Sequence, residues 1–162
     1  MNQDVDNIRC YLKERTTLTL ATVSDAGPWV AAVFFAEDER LNLYFVSDPT
    51  TRHCMEAAAH PEIAATVHED CRTWHSIQGL QIRGSVGAVA EEGRSAIQNL
   101  FLKKFPDVAE LIQASEGSND RLIADRLMQS KFYCITPSWI RFIDNTKGFG
   151  HRSEVTLAHV RQ

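Results

Sequence analysis

Cysteine is scarce here and never paired. Cys10, Cys54, Cys71 and Cys134 form no Cys-x-x-Cys motif, so they read as free thiols, mostly buried, in a reducing compartment. Long apolar runs are missing as well. The stretch around Val30 to Ala36 falls far short of the roughly 20 residues needed to span a bilayer. The first residues, Met-Asn-Gln-Asp-Val-Asp, are acidic and lack a hydrophobic signal region. A concentration of positive charge is absent too. The formal charge is −4 and Lys and Arg are scattered, which argues against nucleic acid as the main partner. No repeat, low-complexity tract or linker divides the chain. The expectation is a single domain over residues 1–162, soluble and cytoplasmic, with neither a nucleic-acid nor a membrane partner.

One set of side chains has metal-ligand spacing: His68, Cys71 and His75. Structural zinc sites need three or four convergent ligands. Glu69, Asp70 and Arg72 between these residues read as a solvated turn, so no metal is expected.

The pattern of elements is mostly β. Residues 3–15 form an amphipathic helix with Val5, Ile8 and Leu12 on one face. Thr17 to Ser24 alternates, placing Leu18, Leu20 and Thr22 together. After the turn Asp25-Ala26-Gly27-Pro28, Trp29 to Ala36 is apolar on both faces and reads as a central strand. Its Phe34 and Phe35 read as core. Strands follow at Leu41 to Ser47 and Glu62 to Glu69, with a short helix over 50–59 between them. A long β-segment, Ile77 to Ala90, contains Gly79, Gly84 and Gly87, which mark bulges or close backbone approach. Helical patterns cover 94–105, 107–114 and 120–129. Lys131 to Asn145 returns to β, and Asn145 to His151 reads as a flexible, aromatic-tipped tail. Consecutive hairpins with few helices imply an antiparallel sheet curled into a barrel, with helices packed outside. Six or so strands enclose only side chains, so a ligand would bind on the rim or between subunits.

The chemistry concentrates in residues 41 to 61. An alternating strand ends at Val46-Ser47, Asp48-Pro49-Thr50 turns, and Thr51, Arg52 and His53 open the helix. Unpaired N–H groups at a helix start, joined by a hydroxyl, a guanidinium and an imidazole, make a phosphate seat. The same residues also fit an N-cap Thr with two solvated basic side chains. Trp74 and His75 suit either a dimer anchor or a cap on the barrel end. Lys147, Phe149, His151 and Arg152 surround Gly148 and Gly150. Such a loop can fold over a neighbouring ligand or simply fray.

Three segments carry a resemblance: Tyr44-Phe45-Val46-Ser47 through Thr51-Arg52-His53, Ile77 through Gly84, and Phe142 through Arg152 with its Asn-Thr-x-Gly-Phe-Gly core. Together the chain resembles the FMN-binding split-barrel superfamily of pyridoxamine 5′-phosphate oxidase, and within it the YhbP-like branch. The resemblance implies a mainly β fold with α, a split barrel. It also implies an FMN cofactor held at a homodimer interface, and oxidoreductase chemistry on a small-molecule redox substrate. Val46 and Ser47 would meet the flavin, and Thr51, Arg52 and His53 would hold its phosphate. His53 stands where the oxidases carry Lys. Small residues around Ala32 would let backbone approach the ring's polar edge. Gln78 lies one residue before the oxidases' flavin-contacting Gln position. Lys147, Phe149 and Arg152 fall where the oxidases reach the flavin from the partner chain. Ile143 replaces their aromatic residue, and their substrate-binding Arg-x-His-x-Arg pattern is absent. No side chain announces itself as acid or base. His151 is the best single candidate, because an unperturbed imidazole titrates near neutrality. The rival expectation is a non-enzymatic flavin or haem binder on the same fold, with His151 or His75 ligating iron.

Overall fold

A computed structural model of the chain describes residues 3–112, 125 and 129–157. The elements are α1 (Gln3–Lys13), β1 (Thr17–Ser24), β2 (Gly27–Glu37), β3 (Leu43–Ser47), α2 (Arg52–Ala59), β4 (Glu62–His68), β5 (Gln78–Ala88), α3 (Glu91–Lys104), α4 (Pro106–Ile112), β6 (Lys131–Asp144) and β7 (Arg152–Thr156). Short 3-10 turns fill 74–76 and 145–147. The helix expected over 120–129 falls almost wholly outside the described residues.

The strand order is β3-β2-β1-β4-β5-β6-β7, and β3 pairs again with β6. That second pairing closes six antiparallel strands into a barrel. The length of β6 makes closure possible: its first half pairs with β3 and its second half with β7, while β5 runs along the other edge. The interior is filled by alternate side chains. Leu18, Leu20 and Thr22 of β1, Ile63 and Val67 of β4, and Leu80, Ile82 and Val86 of β5 are all buried. This inward period-2 pattern is the one legible in the sequence. Gly84 sits at a register shift in β5. A Cβ there would lie 2.3 Å from the Thr136 carbonyl oxygen and 2.8 Å from the Pro137 Cα.

Helices α1 and α2 close opposite ends of the barrel. Ile8 and Leu12 of α1 enter the core, and the Tyr11 hydroxyl donates to the Gln78 carbonyl at the start of β5. Cys54 and Ala57 of α2 enter the same core, and Glu56 meets Thr22 and Ser24 at the end of β1. Helix α3 lies outside, where Phe101 packs with Ala36 and Phe132. Lys104 anchors it by pairing with Glu37 and donating to the Leu12 carbonyl at 3.1 Å.

Three expectations need correction. Phe35 is core, but Phe34 is 61% exposed, because the two point to opposite faces of β2. Central position in the sheet does not cover that outer face: Ala36 lies under α3, whereas Val30 stays 60% exposed. The thiols are not mostly buried; Cys54 is, Cys71 and Cys134 are partly covered, and Cys10 is exposed. The tail after Asn145 is no loose end but the turn of a hairpin, with β7 paired to β6 from Trp139 to Ile143.

Candidate functional site

The β3 strand places Ser47 beside the first turn of α2. Ser47 Oγ lies 2.9 Å from His53 Nε2 and 3.2 Å from Thr51 Oγ1, and Thr51 Oγ1 lies 3.2 Å from the same imidazole nitrogen. Thr51 occupies the N-cap position but makes no side-chain capping bond; its hydroxyl donates instead to the Asp48 carbonyl at 2.7 Å. The simple N-cap alternative therefore does not describe Thr51. Two hydroxyls, an imidazole and the N–H groups of the helix start converge on one spot.

Arg52 is not loosely solvated. Its Nε donates to Glu56 Oε1 at 2.7 Å, and its guanidinium lies 4.5 Å over the Trp29 ring. Glu56 is buried, and also accepts from Thr22 Oγ1 at 2.6 Å and Ser24 Oγ at 2.9 Å. The Thr22 and Arg52 bonds hold its carboxyl down at about 2, against the effect of burial. Sequence reasoning missed Glu56. The signal available was its i,i+4 spacing from Arg52.

Cys54 was missed as well. Burial pushes its thiol up, but hydrogen bonding with His53, Thr51 and Ser47 outweighs burial and brings it down to about 7.

Beside this cluster lies a groove of about 610 Å³. It brings together four residues expected from sequence, Ala32, Val46, Ser47 and His53. Its far wall, Phe101, Phe105 and Val108, comes from α3 and α4 and was not foreseen. Phe105 meets Phe34 edge-on at 5.5 Å and Phe101 at 4.6 Å, giving the groove an aromatic side. The volume and the apolar lining with a few polar groups suit a small-molecule site.

The other expected residues lie elsewhere. Ser47 pairs with Lys131 and Gln78 with Asp144, so the two groups sit at opposite ends of β6. Thirteen residues of strand separate them, about 40 Å of chain at ~3.3 Å per residue. Gln78 Nε2 is already bonded to buried Asp144 at 2.9 Å. Burial pushes the Asp144 carboxyl up, but bonds from Thr146 and Gln78 and the Lys147 charge bring it below its ordinary value. Lys147 Nζ lies 3.5 Å from Asp144.

The Asn-Thr-x-Gly-Phe-Gly motif explains itself here. Buried Asn145 donates to the Trp74 carbonyl at 2.8 Å and accepts from the Gly150 N–H at 3.0 Å. Gly148 and Gly150 take φ of 135° and 73°, a region costly for other residues. The loop is pinned, and His151 is held through its backbone to Gly148 and Asp144. Phe149 projects outward, 80% exposed, edge-on to Trp74 at 5.5 Å; Trp74 in turn stacks on His75 at 3.4 Å. Arg152 begins β7, paired with Ile143. Among the described residues, no three His, Cys, Asp or Glu side chains converge in a way that could hold a metal ion. Nor does any described helix have the length and apolarity to cross a membrane.

Comparison with known proteins places this geometry in context. Over 104 residues the chain is 31% identical to a UPF0306 protein of Yersinia pseudotuberculosis, covering 64% of this chain and 71% of the relative. Its fold matches that of a haem-binding protein from Mycobacterium smegmatis with TM-score 0.71 at 12% identity, covering 96% of this chain and 59% of the other. It also matches HutZ, the haem storage protein of Vibrio cholerae, with TM-score 0.63 at 17% identity over 82% of this chain and 88% of the other. The family model for pyridoxamine 5′-phosphate oxidase matches residues 5–143, nearly the whole barrel, and the chain belongs to that family.

Proposed function

We propose that this chain is a cytoplasmic FMN-dependent oxidoreductase that acts as a homodimer on a small-molecule redox substrate. One observation carries the reading: Ser47, Thr51 and His53 converge at the start of α2 beside an apolar groove, with Arg52 in the same helical turn. That donor set fits a phosphate monoester, and the adjoining groove fits a flat ring system.

The residues divide the work. Arg52 supplies the fixed cation, and Ser47, Thr51 and His53 supply short-range hydrogen bonds to phosphate oxygens. Ala32 and Val46 line the floor and wall where a ring would lie. Phe34, Phe101 and Phe105 keep water from one side of it. When bound, the flavin supplies the redox chemistry, and the protein supplies seating, orientation and access.

Separation of the two groups of residues supports the homodimer. Gln78, Lys147, Phe149, His151 and Arg152 sit at the far end of β6 from the groove of their own chain. In a dimer they would serve the partner's groove, and the uncovered outer face around Val30 and Phe34 offers a surface for pairing. His151 is then the proton-exchanging candidate. Pyridoxamine phosphate oxidation is not the reaction we assign, since the substrate-binding Arg-x-His-x-Arg pattern is missing.

The second reading is haem binding, favoured by exposed His75 and His151 flanking the flat Trp74 and Phe149 rings. His53 suits it less, because Nε2 already bonds Ser47 and Thr51. Absorbance of the purified protein, repeated after adding FMN or haem, separates the two. A flavin spectrum, with FMN released into the supernatant on denaturation, supports the proposal. A Soret band without flavin binding replaces it with the haem reading, and indifference to both overturns it.

A further inference from the structure

Glu56 is a buried carboxylate that none of the steps above uses. Its side chain is 7% exposed, whereas that of its partner Arg52 is 39% exposed. Such a group is costly to bury unless fully bonded, and here it is: Thr22, Ser24 and Arg52 all donate to it. The β1 hydroxyls fix the carboxylate to the barrel. The carboxylate in turn takes Arg52 by Nε, and the guanidinium carbon lies over the Trp29 ring, 4.5 Å from its centroid.

The consequence lies in which donors remain. A guanidinium carries five N–H groups in a rigid plane. With Nε bound to Glu56, the four on the two Nη nitrogens define the edge available to a ligand. The Trp29 ring, 4.5 Å from the guanidinium carbon, further narrows the positions it can take. A free Arg would lose rotamer freedom on each binding event; this one has lost much of it during folding.

We infer that Glu56 is the positioning residue of the anion seat: it holds Arg52 by Nε so that the Nη edge is set for a phosphate group. The inference rests on the phosphate seat proposed above but not on flavin being the molecule that carries the phosphate.

The test uses the full chain with two probes, FMN and inorganic phosphate, and riboflavin as the phosphate-free control. Glu56→Asp keeps the charge near Thr22 and Ser24 but falls one methylene short of Nε. Glu56→Gln keeps the reach and an acceptor oxygen. Glu56→Asp should weaken FMN and phosphate about tenfold, or ~1.4 kcal/mol, and leave riboflavin unchanged. Glu56→Gln should stay within about threefold of the parent, which tests rescue by reach rather than charge. In an Arg52→Ala background, Glu56→Asp should have no further effect on either phosphate-bearing ligand. Nitrogen-15 spectra should show a protected Arg52 Nε–H signal in the parent that broadens in Glu56→Asp.

Phosphate binding that depends on Glu56 while FMN fails to bind would uphold the positioning role and sink the flavin reading. Equal losses for FMN and riboflavin, or a loss persisting without Arg52, would reduce Glu56 to a structural residue and overturn the inference. So would unchanged affinities in Glu56→Asp, or a parent protein that binds neither FMN nor phosphate.

Discussion

The Asn145 side chain donates to the Trp74 carbonyl at 2.8 Å and ties two loops that are far apart in sequence. Its other end accepts from Gly150, so one amide links the 145–151 turn to the turn at 74–76. Asn145→Ala removes both bonds, leaving the Gly150 N–H and the Trp74 carbonyl without this partner. Stability should fall by about 1–3 kcal/mol, read as a lower urea midpoint. The Gly150 amide, protected in the parent, should exchange much faster in the variant. Equal exchange rates in both proteins would show that Asn145 is not what holds the turn.

Arg52→Ala removes the fixed cation of the seat. FMN affinity should drop about ten- to a hundredfold, at 1.4 kcal/mol per decade and ~1.5–3 kcal/mol for a charge-assisted bond. Riboflavin should barely respond. Titrations read by flavin fluorescence settle this, and equal losses for the two ligands would assign Arg52 to folding instead.

Phe34 lies on the uncovered face of β2, 61% exposed, with Phe105 at its edge. If that face pairs two copies, Phe34→Asp should separate them. Sedimentation at micromolar concentration should show about twice 18.3 kDa for the parent and a single chain for the variant. Val30→Asp, on the same face but outside the groove lining, should separate the two copies equally, and its flavin binding should fall with dimerisation. A monomeric parent that binds FMN tightly would rule out the shared site.

Acid should act through Glu56. Hydrogen bonds from Thr22 and Arg52 lower its carboxyl from an ordinary 4.5 to about 2. A group depressed in the folded state contributes stability above its unfolded value and loses it as pH falls through the folded one. The parent should therefore lose stability between about pH 4.5 and 2, and Glu56→Gln should lose less over that window. Denaturant midpoints at several acidic pH values provide the check, and parallel curves would remove Glu56 from the account.

Gly84 has no room for a side chain. A Cβ would meet backbone atoms of Thr136 and Pro137, which cannot swing aside. Gly84→Ala should cost at least ~2 kcal/mol, beyond ordinary overpacking of flexible side chains. The loss should appear in urea unfolding, whereas Gly87→Ala, with open space around it, should be mild.

What the sequence by itself determined is the local pattern and the chemistry of short segments. Alternation in Thr17 to Ser24 names its inward face because strand side chains repeat every two residues, and neighbours do not alter that period. Ser47, Thr51 and His53 are six residues or fewer apart, so a turn between strand and helix suffices to bring them together. Tertiary structure decided what depends on distant partners. The strand glycines Gly79, Gly84 and Gly87 look alike in sequence, and only the approach of Thr136 and Pro137 singles out Gly84 while Gly87 keeps open space. Phe34 and Phe35 are equally apolar, and only closure of the barrel, with α3 reaching Ala36 but not Val30, separates core from surface. Arg52 reads as a solvated cation until β1 delivers Thr22 and Ser24 to Glu56 and β2 delivers Trp29. The groove's aromatic wall needs α3 and α4, more than fifty residues beyond Ser47. The hairpin turn after β6 is tied through Asn145 to Trp74, about seventy residues earlier in the chain, and no periodicity encodes that meeting.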